Sequence, residues 1–129
     1  MAYLKPGAIT RKVFNPLAMK LGFWNVETLV VPRRKSGEPQ SVPVIPVEHE
    51  GARYVVSTRG ESDWVKNLRA AGAGELRRKG EAQKVHVVEL PVEERPPVIA
   101  VYRAKVGREV QQYFEKLPDP ADHPVFRLE

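Results

Sequence analysis

The feature of this sequence that most constrains its fold is a series of short β-branched runs within residues 28–58, each followed by Pro or Gly. Such runs are typical of strands, and the residues between them favour tight turns. The predicted strands are residues 28–31, 40–47 and 53–58. The second contains Pro43 and Pro46, which cannot donate to a sheet ladder and therefore belong at an edge or a bulge. With a turn at Glu50 and Gly51, residues 28–58 predict a β-meander.

The rest of the chain alternates between helical and extended patterns. Apolar residues at three- and four-residue spacing predict helices, and Ser62 and Gly72 are suited to begin and end one. The predicted helices are residues 8–22 with a kink at Pro16, 62–72, and 98–114 with a break at Gly107; the predicted strands are a hairpin of 75–79 and 83–90 and a closing strand of 123–128. About six antiparallel strands with a few helices indicate a small antiparallel β-barrel decorated by helices, mainly β with α. We expect one domain over residues 1–129, with an amphipathic helix at 1–22 and the barrel at 24–128.

Composition narrows the functional classes. The chain has 129 residues, of which 42% are hydrophobic, enough for one core. It has no Cys, which excludes a thiolate metal site and is typical of a reducing, cytoplasmic setting. No apolar run reaches the ~20 residues that span a bilayer. Lys and Arg exceed Asp and Glu by 21 to 16, so a net charge of +5 favours an anionic partner.

Three cations precede a predicted turn in VVPRRKSGEP, residues 30–39. Arg33, Arg34 and Lys35 would join the backbone N–H groups of a Lys-Ser-Gly turn to form a concavity that binds an anion such as phosphate. The alternative is a solvated loop whose charges prevent edge-to-edge aggregation of the sheet. The turn by itself leaves both interpretations open.

A second anion cradle is predicted at residues 57–60, where a strand leads through Ser, Thr, Arg and Gly into a helix. The segment supplies hydroxyls, a cation and the free amide donors of a helix N-terminus at one place. Asp63, in the first turn of the predicted helix, suits the positive end of its dipole.

The order of these motifs resembles the deazaflavin (coenzyme F420)-dependent nitroreductase family, also described as quinone reductases. The resemblance covers residues 24–128. Its marks are Arg34-Lys35-Ser36-Gly37 followed by Pro43, then residues 57–60, then Trp64 with Asn67-Leu68, and the ending HPVFRL after an aromatic-bearing helix. It implies a split β-barrel with the deazaflavin in a groove against the sheet, and a hydride transfer to a quinone, an enone or a nitro compound.

The resemblance also implies which residues bind the coenzyme. They are Arg34, Lys35, Ser36, Gly37, Gln40, Pro43, Ser57, Thr58, Arg59, Gly60, Asp63, Trp64, Asn67 and Leu68. The residues of the first turn would hold the phosphate and the acidic tail, and Ser57 and Thr58 would lie beside the ring. The chain departs from the family at Arg33, where Gly is common, at Gln40, where Arg is common, and near Thr58, where many members carry Lys.

For the acceptor, the resemblance points to Tyr113 as a proton donor or an orienting hydrogen-bond partner. The alternative is a core aromatic beside Phe114, and Tyr102 is a weaker candidate because its spacing fits a core face. Trp24 and Phe23 would roof the acceptor or fasten the first helix to the barrel. His49, His86 and His123 have no metal-ligand spacing, so no metal site is predicted, and each is expected to be a surface or strand residue.

Two other functions fit parts of the sequence. A split barrel that binds FMN could use the same turn for a terminal phosphate. A basic barrel that binds nucleic acid lacks a stacking platform, because Tyr54 alone lies centrally in a predicted strand. The cationic face of helix 8–22 would permit weak contact with a membrane surface, although such a helix more often covers a barrel end. A monomer or a homodimer is expected.

Overall fold

The structure is a computed structural model that describes residues 26–129. The predictions for helix 8–22, its membrane contact, Phe23 and Trp24 lie outside these residues. The strands are β1 (Glu27–Pro32), β2 (Pro39–Val44), β3 (Val47–His49), β4 (Ala52–Val56), β5 (Ala73–Arg78), β6 (Glu81–Glu89) and β7 (Val125–Leu128). The helices are α1 (Asp63–Ala71), α2 (Arg95–Lys105) and α3 (Arg108–Lys116), with short 3-10 helices at Val92–Glu94 and Pro120–Asp122.

Within residues 26–129 each predicted element has a counterpart, with most bounds shifted by one or two residues and with two larger differences. The predicted strand 40–47 is divided at Ile45 and Pro46 into β2 and β3, so the described residues contain seven strands rather than about six. The predicted helix 98–114 begins earlier, at Arg95, and is divided at the expected place into α2 and α3, with Gly107 as the N-cap of α3.

All seven strands form one antiparallel sheet in the order β2-β1-β5-β6-β7-β4-β3. The two edges of this sheet are β2 and β3, yet only Ile45 and Pro46 separate them in the chain. Three Cα–Cα steps span at most about 11 Å, so the two edges must lie close together and the sheet must curl back on itself. The result is the predicted split β-barrel, and Pro43 lies on an edge strand as expected.

The buried side chains form two clusters. The first lies under α1 and includes Leu29, Val31, Val55, Leu68 and Phe126. The second lies under α2 and α3 and includes Val47, Tyr54, Ile99, Tyr102 and Phe114. Because Tyr54 is buried in this second cluster, its ring is not presented for base stacking. None of the helices within residues 26–129 combines the length and the apolar character needed to cross a membrane.

Candidate active site

The connection between β1 and β2 is a tight turn, here called the arginine turn, at residues 33–37. Its backbone is closed by two hydrogen bonds, from Arg33 N to the Glu38 carbonyl at 2.8 Å and from Gly37 N to the Arg33 carbonyl at 2.8 Å. Gly37 has φ of +78°, a conformation that other residues rarely adopt. The Ser36 hydroxyl accepts from Glu38 N at 3.2 Å. The N–H group of Gly37 is thus already bonded within the turn and does not join the anion-binding concavity that the sequence predicts. Nη1 of Arg33 also bonds within this segment, donating to the Pro39 carbonyl at 2.6 Å.

Asn67 on α1 holds the arginine turn in place. Its Oδ1 accepts from the backbone N of Arg34 at 3.0 Å and from Nη1 of the same residue at 2.8 Å. Its Nδ2 donates to Gln40 Oε1 at 2.7 Å. Asn67 is 3% exposed, whereas the Arg34 side chain is 33% exposed, so the bonds are buried on the Asn67 side only. These contacts orient the guanidinium of Arg34 at the edge of the turn.

A cavity of about 290 Å³ opens at this turn. It is lined by Arg33, Arg34, Lys35, Ser36, Gln40, Asp63 and Asn67. Three cations and one carboxylate give the lining a charge of +2. The Asp63 carboxylate lies 3.9 Å from Arg34 Nη2 and is 70% exposed, so it screens Arg34 only weakly. The predicted cations therefore line one cavity with a net positive charge, and the role of this cavity as an anion site stays a prediction.

Residues 57–60, here called the serine loop, join β4 to the segment before α1. The Ser57 hydroxyl donates to the Gly60 carbonyl at 2.6 Å, and Ser62 N donates to the same carbonyl at 2.9 Å. Gly60 has φ of +87°, which lets the loop reverse sharply towards the helix. Ser62 is the N-cap of α1 as predicted, but its Oγ makes no capping bond and has no hydrogen-bond partner among residues 26–129.

Arg59 connects the serine loop to α3. Its Nη2 donates to the Tyr113 hydroxyl at 3.0 Å, and its Cζ lies 4.9 Å from the centre of the Tyr113 ring. The predicted coenzyme residue and the predicted acceptor residue are thus in direct contact. This pairing was not predicted from the sequence, and it places the Tyr113 side chain against Arg59 of the serine loop. Tyr102 is instead a core residue, and burial raises the pKa of its hydroxyl.

Residues His123 and Pro124, which directly precede β7, contact the backbone of the serine loop. Ser57 N donates to the Pro124 carbonyl at 2.9 Å, and His123 Nδ1 lies 2.8 Å from the Ser57 carbonyl. His123 is 1% exposed and stacks on Phe114 with ring centres 4.3 Å apart. The prediction that His123 is a surface or strand residue is therefore wrong, because it is buried and precedes β7.

A chain of ion pairs begins at Glu61, the residue that directly follows the serine loop. Arg69 on α1 donates to both carboxylate oxygens of Glu61, at 2.9 and 3.0 Å, and to both of Glu89, at 2.7 and 2.9 Å. Glu89 also pairs with the buried Arg95 at 3.2 Å. The hydrogen bonds from Arg69 hold the pKa of Glu61 below its ordinary value, so this carboxylate stays charged.

Eight of the predicted coenzyme residues do not line the cavity at the arginine turn: Gly37, Pro43, Ser57, Thr58, Arg59, Gly60, Trp64 and Leu68. Pro43 and Gln40 lie on opposite faces of β2. Pro43 is in register with Thr28, and Gln40 is in register with the buried Val31. Leu68 is fully buried in the first cluster, and Trp64 packs against that cluster with its ring 6.4 Å from Phe126. Thr58 is partly buried in the serine loop.

The curled seven-stranded sheet defines a split-barrel protein, here with a cationic cavity at the turn between β1 and β2. The model of the F420H(2)-dependent quinone reductase family matches residues 9–117, and the chain belongs to that family. The resemblance drawn from the sequence motifs is thereby confirmed. The protein is an F420-dependent reductase, and coenzyme F420 is its cofactor.

Solved structures show the same fold. An F420-H2 dependent reductase, FDR-A, is 21% identical with a TM-score of 0.61, and the match covers 81% of this chain and 94% of that one. A structure described as a domain-swapped dimer is 20% identical with a TM-score of 0.53, covering 95% and 100%. A NimC/NimA family protein from Clostridium acetobutylicum is 16% identical with a TM-score of 0.56, covering 81% and 73%. Comparison with curated proteins finds no match.

Proposed function

We propose that the acidic tail of coenzyme F420 binds at the arginine turn and that its ring lies beside the serine loop, next to the contact between Arg59 and Tyr113. The main support is Arg34, which Asn67 holds by two hydrogen bonds at the edge of a cavity with charge +2. A phosphodiester with glutamyl carboxylates is the kind of ligand that such a cavity stabilises, because charge-assisted hydrogen bonds are strong and the guanidinium needs no reorganisation.

The remaining residues of the proposed site divide between the two ends of the coenzyme. Lys35 and Ser36 would add a cation and a hydroxyl beside Arg34, and both line the same cavity. Thr58, which is partly buried, would lie beside the ring, whereas Ser57 is 1% exposed and would shape the loop from within through its bond to the Gly60 carbonyl. α1 starts beside the serine loop, and its Asn67, one turn after Asp63, contacts the arginine turn, so a single rigid helix sets the distance between the two ends.

The reduced coenzyme supplies a hydride to an electrophilic acceptor. We propose Tyr113 as the residue that donates a proton or a hydrogen bond to that acceptor. Arg59 has no acceptor atoms, so its contact with Tyr113 uses the phenol oxygen and leaves the phenol hydrogen free to be donated. Arg59 would also hold the ring of Tyr113 in one orientation through the cation–π contact.

A small electrophile is the proposed acceptor, with a quinone as the first candidate because of the family to which the chain belongs. The test is anaerobic oxidation of reduced coenzyme F420 with a panel of a quinone, an enone and a nitroimidazole, with reduced FMN as the alternative donor. We expect turnover with F420 and a quinone. Turnover with reduced FMN and none with reduced F420 would refute the proposal.

The role of Tyr113 has its own test. Tyr113→Phe keeps the ring and removes the hydroxyl, and we expect kcat with a quinone to fall about 10- to 100-fold while coenzyme affinity changes less than about twofold. Tyr102→Phe is the matched control, because Tyr102 is buried in the core. Unchanged turnover in Tyr113→Phe would remove the proton-donor assignment.

For assembly we propose a monomer or a homodimer. Support for the dimer is that one structural neighbour is described as a domain-swapped dimer. Light scattering on the purified full chain distinguishes the two, and a larger assembly would contradict both.

A further inference from the structure

His123 contacts two separate parts of the proposed site. Its Nδ1 lies 2.8 Å from the carbonyl of Ser57 in the serine loop, and its Nε2 lies 2.5 Å from the carbonyl of Leu117. Leu117 is the C-cap of α3, and its own N–H bonds to the carbonyl of Tyr113 at 2.9 Å. One buried ring therefore joins the loop assigned to the coenzyme ring and the helix assigned to the acceptor.

The position of His123 is itself fixed. Its ring stacks on Phe114 at 4.3 Å with an interplanar angle of 26°, and the ring of Phe114 is 3% exposed. Behind it, Arg95 donates to the carbonyls of Leu90 and Pro120 at 3.0 and 3.2 Å, which holds the loop that carries His123. The imidazole thus acts as a rigid spacer.

We infer that His123 is a positioning residue that sets the spacing between the serine loop and Tyr113. This rests on the proposed function, because the coenzyme ring and the acceptor are assigned to those two elements. Hydride transfer requires reacting atoms within about 3–3.5 Å, so a small displacement of either element lowers the rate. The contact between Arg59 and Tyr113 would then depend on His123, although neither hydrogen bond of the His123 ring is to the side chain of Arg59 or Tyr113.

The two contacts can be separated by substitution. Both partners are carbonyl oxygens, which only accept, so each contact needs a donor on the ring. A neutral imidazole donates from one nitrogen, and both contacts are hydrogen bonds at the same time only when both ring nitrogens carry a proton. The amide nitrogen of Asn reaches the place of Nδ1, and that of Gln reaches the place of Nε2. His123→Asn therefore keeps the donor to Ser57 and loses the one to Leu117, and His123→Gln does the reverse.

The experiment measures coenzyme Kd, kcat and KM for a quinone, and Tm, in both variants. In His123→Gln the Ser57 carbonyl loses its side-chain donor, although Ser57 N still bonds to the Pro124 carbonyl, and we expect the Kd for F420 to rise about 5- to 30-fold. In His123→Asn we expect that Kd to change less than about twofold while kcat falls about tenfold or more. The matched controls are His86→Asn and His86→Gln, which change an exposed histidine on β6. A purely structural role would lower Tm in both His123 variants and give no opposite split of Kd and kcat, and that result would overturn the inference.

Hydrogen–deuterium exchange on the unmodified protein gives a second test that does not depend on the variants folding. Adding oxidised F420 should slow amide exchange in residues 57–60 and also in residues 117–123, which the proposed coenzyme site does not include. Slower exchange in residues 57–60 alone would overturn the inference while leaving the proposed function intact. Failure of the unmodified protein to bind F420 would overturn both.

Discussion

Replacing Asn67 by Asp separates the structural role of this residue from its electrostatic role. The new carboxylate can still accept both hydrogen bonds from Arg34, and Gln40 can turn its amide to donate to it. Desolvation of the carboxylate is offset by the adjacent guanidinium, so we expect Tm to stay within about 5 °C of the unmodified protein.

Coenzyme binding should respond much more strongly. The added charge lowers the lining of the cavity from +2 to +1 and places a carboxylate where the guanidinium nitrogen is now 2.8 Å from a neutral oxygen. Arg34 then already has an anionic partner, so the coenzyme loses the advantage of one charge-assisted hydrogen bond. Such bonds contribute about 1.5–3 kcal/mol, which corresponds to a roughly 10- to 150-fold higher Kd.

The assay is a titration of oxidised F420 followed by quenching of its fluorescence at low ionic strength. Gln83→Glu makes the same change from amide to carboxylate at an exposed position of β6, outside the cavity, and controls for net charge. A folded Asn67→Asp protein that binds F420 as tightly as the control would refute the reasoning that Asn67 presents Arg34 to an anion.

Three further predictions concern stability and salt. Arg69 holds the pKa of Glu61 below its ordinary value of 4.5, so Glu61→Gln should lower the free energy of unfolding by about 1–3 kcal/mol at neutral pH. This difference between the variant and the unmodified protein should shrink as the pH falls below about 4.5, and a difference independent of pH would contradict the prediction. Gly74→Ala should destabilise by about 1–2 kcal/mol in urea unfolding, because its Cβ would lie 3.1 Å from the Val30 carbonyl, whereas Gly107→Ala, with open space around its Cβ, should cost less; equal costs would count against this packing argument. The affinity for F420 should fall on raising the salt from 0.05 to about 0.5 M, since the cations of the arginine turn are exposed, and a salt-independent Kd would argue against charge recognition.

Local features of the fold and the site were predictable because local patterns carry them. The arginine turn needs a glycine at positive φ after three cations, and Gly37 shows this in the sequence. α1 has its N-cap and its left-handed C-cap glycine at the expected positions, Ser62 and Gly72. The break between α2 and α3 falls at Gly107, the N-cap of α3, where the sequence predicts it.

The contacts that assemble the site were not predictable because they join residues far apart in the chain. Arg34 and Asn67 are 33 residues apart, Arg59 and Tyr113 are 54 apart, and Ser57 and His123 are 66 apart. No periodicity reports which helix lies over which turn. In a single sequence a histidine that joins two carbonyls also cannot be distinguished from an exposed one.

The division of residues 40–47 has a different cause. The sequence shows the alternation of apolar and polar residues along this segment, but not the bend at Ile45 and Pro46. That bend brings the two edge strands together, and the curling of the sheet depends on all seven strands. The same alternation puts Gln40 and Pro43 on opposite faces of β2, which a motif-based assignment does not take into account.

The most direct test is the F420 affinity of a protein in which both Arg34 and Lys35 are replaced by Gln. The double variant Lys79→Gln/Lys84→Gln removes the same two charges from exposed positions of the β5–β6 hairpin and serves as the control. If the cations of the arginine turn hold the coenzyme's acidic tail, the Kd should rise by at least about 100-fold, with Tm and far-UV circular dichroism close to those of the control. An unchanged Kd in a folded Arg34→Gln/Lys35→Gln protein would contradict the account.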